Sequence, residues 1–126
     1  ERKVSILPVA ACNSGEKSDC AQAQSNISID WTIYSGKVRF QGTCGACYAF
    51  STVDTFAALN SINYFGFFVP LAIQQVIDCA QNGLTFGCRG GHLEGAYTYI
   101  QTYGLTLESS YPYTYEKTVD AGTCKQ

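Results

Sequence analysis

The stretch Gln41-Gly42-Thr43-Cys44-Gly45-Ala46-Cys47-Tyr48-Ala49-Phe50-Ser51 decides how the rest of this chain is read. From Cys47 onward apolar residues recur at Phe50, Val53 and Phe56/Ala57, the spacing of one helix face, so a helix is expected at or just before Cys47. A thiol placed there meets unpaired backbone N–H groups and the positive end of the helix dipole, surroundings that favour a thiolate. The plainer reading is an inert buried cysteine opening a core helix. Cys44-Gly-Ala-Cys47 is also a Cys-x-x-Cys, which raises a thioredoxin-type redox pair or half of a zinc site. The redox pair calls for a βαβ setting, and Cys79 and Cys88 have the wrong spacing for a second zinc half. No metal and no cofactor are therefore expected.

Composition sets wider bounds. A chain of 126 residues makes one domain, and a domain of that size buries roughly two thirds of its unfolded surface. With net charge −2 and 14% charged residues there is no basic stripe, so no nucleic-acid partner is expected. The apolar run 65–73 is interrupted by Gly66 and Pro70, and it falls well short of the ~20 residues a membrane helix needs. A soluble chain without a membrane span is expected. The start, Glu1-Arg2-Lys3-Val4, has no apolar stretch ending in small residues, which fits a processed mature product.

Seven cysteines in so short a chain favour an oxidising compartment. The number is odd, so three disulfides leave one thiol, and Cys47 is the candidate for it. Residues 1–28 are polar and irregular. Within them Cys12 and Cys20 bracket Asn-Ser-Gly-Glu-Lys-Ser-Asp, a small disulfide-closed loop worth about 2 to 3 kcal/mol by loop-closure entropy. Asn26-Ile27-Ser28 is a glycosylation sequon at Asn26, meaningful only in a secretory setting. Beyond the first helix, a second is expected over 71–78 with Ile73, Val76 and Ile77 inward. A third is expected over 93–103, with Leu93, Ala96/Tyr97 and Ile100 on one face and Gly104 as a left-handed cap. Asn82-Gly83, Gly87 and Gly90-Gly91 punctuate the connection between these two.

From Ile29 to about Lys125 the chain resembles the left, helical domain of a papain-like cysteine peptidase of the cathepsin type. The residues around Cys47 match the local signature of its nucleophile. Asp30-Trp31 resembles the Asp-Trp near the family's mature N-terminus, and Val76-Ile77-Asp78-Cys79 resembles Leu-Val-Asp-Cys. Gly87-Cys88-Arg89-Gly90-Gly91 resembles Gly-Cys-x-Gly-Gly, and Tyr99-Ile100, Tyr103-Gly104, Glu108 and Tyr111-Pro112-Tyr113 follow in the family's order. The resemblance implies the α+β papain-like fold, with residues 29–126 forming mainly its helical left domain with disulfide-stapled loops. Residues 1–28 would be an N-terminal extension or residual propeptide. It also implies the pairs Cys44 with Cys88 and Cys79 with Cys124, leaving Cys12 to Cys20 and Cys47 free. The two longer bridges would each contribute roughly 4 kcal/mol in the chain-entropy model.

The implied activity is that of a cysteine-type endopeptidase working through a thiolate acyl-enzyme on Cys47. The side-chain amide of Gln41 and the backbone N–H of Cys47 would donate to the tetrahedral oxyanion, a contribution of about 3 to 4 kcal/mol per donor. Gly90 and Gly91 would offer backbone to an extended peptide or protein substrate, and Gly45 would flank the residue before the scissile bond. His92 and Leu93 would line the pocket for the penultimate side chain, so His92 is not the base. The signature calls for a histidine and an asparagine about 130 to 150 residues further on. A second chain, or a remainder of this one, would have to carry the right domain. A propeptide or protein inhibitor is a further partner that the family implies, and its usual address is lysosomal, vacuolar or secreted. The alternative is a noncatalytic papain-like scaffold or interaction protein that has lost the right domain.

Some residues depart from the family pattern. The approach Lys37-Val38-Arg39-Phe40 is about three residues short, and Phe40 stands where a polar residue is common. Tyr48 replaces the more frequent tryptophan. Ala57, and Ile73 in Ala72-Ile73-Gln74, stand where buried carboxylates are usual, and apolar residues often replace such anchors without loss of stability.

Overall fold

A helix must bury one stripe of its surface, and the sequence from Cys47 onward supplies that stripe in the computed structural model, which describes residues 29–114 and 122–125. Helix α1, Cys47–Asn60, buries Tyr48, Ala49, Thr52, Val53 and Ala57 along one side, the spacing of successive helical turns. Phe50 and Phe56 flank this stripe half-buried. Its N-cap is Ala46, which has no side-chain cap, and the Ala46 carbonyl accepts the N–H groups of Ala49 and Phe50 at 2.9 and 3.0 Å. The helix runs on into a π-helical turn, Ser61–Phe65, that the periodicity does not signal. Ser61 turns inward and donates its hydroxyl to the Ala57 carbonyl at 2.8 Å. Gly66, at φ +73° and ψ −1°, closes the turn in the left-handed conformation.

Helix α2, Ile73–Cys79, starts two residues later than the expected 71–78. Leu71 and Ala72 are extended instead. The Ala72 N–H donates to the Thr106 carbonyl at 3.0 Å, and the Glu108 N–H donates to the Pro70 carbonyl at 3.1 Å around a Leu71/Leu107 bridge. A tertiary pairing has taken the backbone groups that would have begun the helix. Ile73, Val76 and Ile77 point inward as expected and are fully buried, each worth about 1.5–3 kcal/mol of apolar burial.

Helix α3, Leu93–Tyr103, has the expected bounds and part of the expected face. Ala96, Tyr99 and Ile100 are buried, whereas Leu93 and Tyr97 are 46% and 42% exposed. Helices α1 and α2 pack against α3, whose buried side carries Ala96, Tyr99 and Ile100 while Gly95 meets Asn82, Leu84 and Thr85, and Leu93 and Tyr97 turn outward. Gly104 has φ +73° but ψ −174°, so it leaves the helix in an extended conformation and not as a left-handed cap.

Among the described residues the backbone pairs only in the isolated bridges Leu71/Leu107 and Thr85/Gly91, so this portion of the α+β fold is helical. Three buried polar residues of α2 hold the segment that follows α3. Gln75 accepts the Thr106 N–H at 2.9 Å and donates to the Tyr99 hydroxyl at 3.2 Å. Gln74 accepts the Thr114 N–H at 2.9 Å and donates to Asp78 at 3.1 Å. Asp78 accepts the Tyr111 hydroxyl at 2.8 Å and the Gly122 N–H at 3.0 Å. Satisfied in this way, the buried polar atoms fix the path of the chain, their desolvation offset by the hydrogen bonds they make. Ala57 and Ile73 lie fully in the core, so apolar packing fills both positions where the family pattern has carboxylates.

The chain divides between Asp30 and Trp31 into two units, and the elements above belong to the second. The Cys12/Cys20 loop, the Asn26 sequon and the proposed extension or propeptide over 1–28 lie outside the described residues. No helix among the described residues is long and apolar enough to cross a membrane.

Candidate active site

Cys47 is the first residue of α1, solvent-exposed and unpaired. The turn that delivers it is held from behind. Cys44 is joined to Cys88 with a Cα–Cα distance of 4.5 Å, and both are buried. Beside that bridge the Gly45 N–H donates to the Cys88 carbonyl at 2.8 Å. With Cys44 committed to Cys88, the Cys-x-x-Cys is neither a dithiol nor half of a metal site. Cys79 is joined to Cys124, which gives the two longer pairings that the resemblance implies.

Tyr48 carries the thiol-bearing turn onto the glycine-rich segment. Its hydroxyl donates to the Gly87 carbonyl at 3.1 Å. Burial pushes its pKa up from 10.0 to about 12, and the charges of Asp78 and Cys47 push the same way. The ring also lies against Gly91, where an added Cβ would come within 3.2 Å of Tyr48 Cδ1.

The segment from Leu84 to His92 doubles back on itself. The His92 N–H donates to the Leu84 carbonyl at 2.8 Å, and the Phe86 N–H donates to the Gly90 carbonyl at 2.9 Å. These two bonds flank the Thr85/Gly91 bridge, so Thr85 and Gly91 are a non-hydrogen-bonded pair. In such a pair each residue's own N–H and C=O point away from the partner strand. Gly91 is exposed and therefore turns its backbone groups to the outer edge. Gly90 accepts the Phe86 N–H with its carbonyl, so that oxygen is already engaged. His92 is the exposed N-cap of α3 with an extended backbone and no side-chain cap, and Leu93 follows it, exposed.

Gln41 precedes the turn. Its side-chain amide donates to the Cys44 carbonyl at 3.1 Å, which folds it over the Cys44–Cys47 turn. Its own carbonyl accepts the Tyr113 hydroxyl at 2.6 Å. Arg39, two residues earlier, pairs with Asp54 of α1 and with Glu108 at 3.2 Å, and its guanidinium lies 5.5 Å over the Phe50 ring. The structure thus gathers Gln41, Gly45, Cys47, Tyr48 and Gly91 through direct contacts, with Gly90, His92 and Leu93 next in chain. Arg39, Glu108 and Tyr113 are residues to which the sequence reading gave no part in the site. Tyr113 lies in a visible Tyr-Pro-Tyr motif, but only the folded chain brings it to Gln41.

Comparisons with known proteins identify the family to which this arrangement belongs. A family model described as papain family cysteine protease matches residues 25–126. The chain belongs to that family. It is 42% identical over 88 residues to a cathepsin L-like proteinase of Fasciola hepatica, covering 68% of this chain and 27% of that protein. It is 37% identical over 100 residues to fruit bromelain of Ananas comosus, covering 76% of this chain and 27% of that protein. Among solved structures, a recombinant stem bromelain precursor superposes with a TM-score of 0.66 at 36% identity, covering 77% of this chain and 30% of that one. The digestive procathepsin L 3 of Tenebrio molitor larval midgut gives 0.69 at 31% identity, covering 81% and 34%. This papain-family chain spans about a quarter of the length of the two curated relatives named here.

Proposed function

We propose that this papain-family chain carries the nucleophile half of a cysteine-type endopeptidase. The observation that carries the reading is Cys47, an exposed, unpaired thiol at the first position of α1. In this reading Cys47 Sγ attacks the scissile carbonyl, and the acyl group passes to sulfur as the amine leaves. The first N–H groups of a helix have no intrahelical acceptor, so the Cys47 N–H is available to the oxyanion, with the Gln41 amide as second donor. Gly91 presents outward backbone groups to an extended peptide, continued by Gly90 and bordered by Gly45. His92 and Leu93, both exposed, offer the first side chains of a specificity pocket. The histidine that takes and returns the proton, and the asparagine that orients it, come from a second polypeptide or from a remainder of this chain. We place the enzyme in a lysosomal or vacuolar compartment, or outside the cell, with a propeptide or protein inhibitor as natural occupant of the cleft.

One observation is shared by the alternative of a noncatalytic scaffold. A groove of about 690 Å³ runs beside α1 and includes Trp31, Val38, Leu59 and Ile62, all of them exposed. Such a surface asks for a cover, and a partner of a scaffold would meet that need as well as a right domain would.

The test is intact-mass analysis after exposure to an epoxysuccinyl probe, with Cys47→Ser as control and any co-purifying chain present. A single adduct on Cys47 supports the peptidase. A thiol that reacts with iodoacetamide but not with the probe supports the scaffold.

A further inference from the structure

We propose that Tyr113 is a positioning residue for Gln41, setting the oxyanion-side amide from the far end of the chain. The inference rests on the peptidase reading. The approach to Gln41 is about three residues shorter than the family pattern, so the local chain has less backbone with which to fix the glutamine. The structure supplies the missing restraint from residues 108–113. The Tyr113 hydroxyl donates to the Gln41 carbonyl at 2.6 Å. The Tyr113 N–H donates to Glu108 Oε1 at 2.9 Å, and Glu108 Oε2 pairs with Arg39 at 3.2 Å. The Tyr113 ring stands edge-on to Phe50 with centroids 5.0 Å apart, and the Arg39 guanidinium also lies over Phe50. Arg39 and Gln41 thus bracket Phe40, and each is tied to the Glu108–Tyr113 turn by a separate contact.

With its peptide held on one side by Tyr113, Gln41 has its side-chain amide directed to the Cys44 carbonyl at 3.1 Å, over the turn that presents Cys47. Loss of the tyrosine hydroxyl removes its hydrogen bond to the Gln41 carbonyl while leaving the ring on Phe50. An amide displaced by even a fraction of an ångström loses part of its hold on a developing oxyanion, because that stabilisation depends on prior placement.

The experiment uses the enzyme with its histidine-bearing part present and compares wild type, Tyr113→Phe, Gln41→Ala and the double variant. Tyr113→Phe is expected to lower kcat on a peptide anilide roughly tenfold with KM little changed. Its rate of alkylation by iodoacetamide, a displacement that forms no oxyanion, stays at the wild-type value. In the Gln41→Ala background the Tyr113→Phe change has no further effect, because both act through one group. An undiminished kcat, a parallel fall in alkylation, or a full effect in the Gln41→Ala background overturns the inference. A wild type with no turnover sinks the peptidase reading instead. Positioning is then decided on the 126-residue chain by the exchange protection of the Gln41 side-chain amide protons. Protection lost in Tyr113→Phe supports the inference, and unchanged protection overturns it.

Discussion

The Gly45 N–H donates to the Cys88 carbonyl at 2.8 Å, and a Cβ built on Gly45 would lie 2.7 Å from that same oxygen. The turn before Cys47 therefore sits on the backbone of residues 88–90 as closely as peptide geometry allows. Both chains are also tied by the adjacent Cys44–Cys88 bridge, so neither can withdraw to make room. Gly45→Ala is expected to cost about 1 to 3 kcal/mol, the range for forcing a methyl into a packed site. A lower urea midpoint with an unchanged m-value checks this, and an unchanged midpoint refutes it.

The two bridges close loops of similar length, with separations of 44 and 45 residues, so each is expected to contribute about 4 kcal/mol by chain entropy. Their accessibility differs. Cys44 and Cys88 are buried, whereas Cys124 is exposed and Cys79 half-buried. With the free Cys47 blocked beforehand, limiting reductant followed by alkylation should label Cys79 and Cys124 before Cys44 and Cys88, since exchange needs access to a sulfur. Peptide mass analysis showing Cys44 and Cys88 labelled first would contradict this.

Tyr48 links protonation to stability. Its folded pKa, raised by burial to about 12, lies above the ordinary 10.0. The neutral phenol is therefore favoured by folding, so the contribution is fully present below pH 10 and is lost as pH rises toward 12. The same ionisation removes the proton donated to the Gly87 carbonyl. Below pH 10, Tyr48→Phe should be less stable than wild type by about 1 kcal/mol, the net worth of one hydrogen bond. That difference should shrink and reverse between pH 10 and 12 when denaturant unfolding is followed across the range. A constant difference would show that the phenol does not carry this linkage.

Asp78 accepts from Gln74, Tyr111 and Gly122 in a buried position. Asp78→Ala leaves those donors without their acceptor and is expected to cost about 3 to 5 kcal/mol. The loss should appear as a large drop in the thermal midpoint, together with increased proteolysis after Tyr111. A drop within the range of an ordinary surface substitution would refute it.

What could be read in advance was local. The start of α1 at Cys47 and the bounds of α3 followed from apolar spacing, because a helix that packs on one side writes its period into the chain. The start of α2 was not legible, since Ala72 gives its N–H to Thr106, a residue far along the chain. Nor was the outward turn of Leu93 and Tyr97, because a helix with apolar residues on two sides has its inner face chosen by its neighbours. Nothing local to Arg39 signals its partners, and only the folded chain places Asp54, Glu108 and Phe50 around it.

The sequence by itself determined the family, the helix that begins at Cys47 and the arithmetic that leaves an unpaired thiol, all of which depend on residue types at short spacing. The tertiary structure decided which backbone edge Gly91 turns outward, what braces Gln41 and which helix faces are buried. Those depend on bonds between residues distant along the chain, whose pairing is fixed only when loop closure and burial are satisfied together.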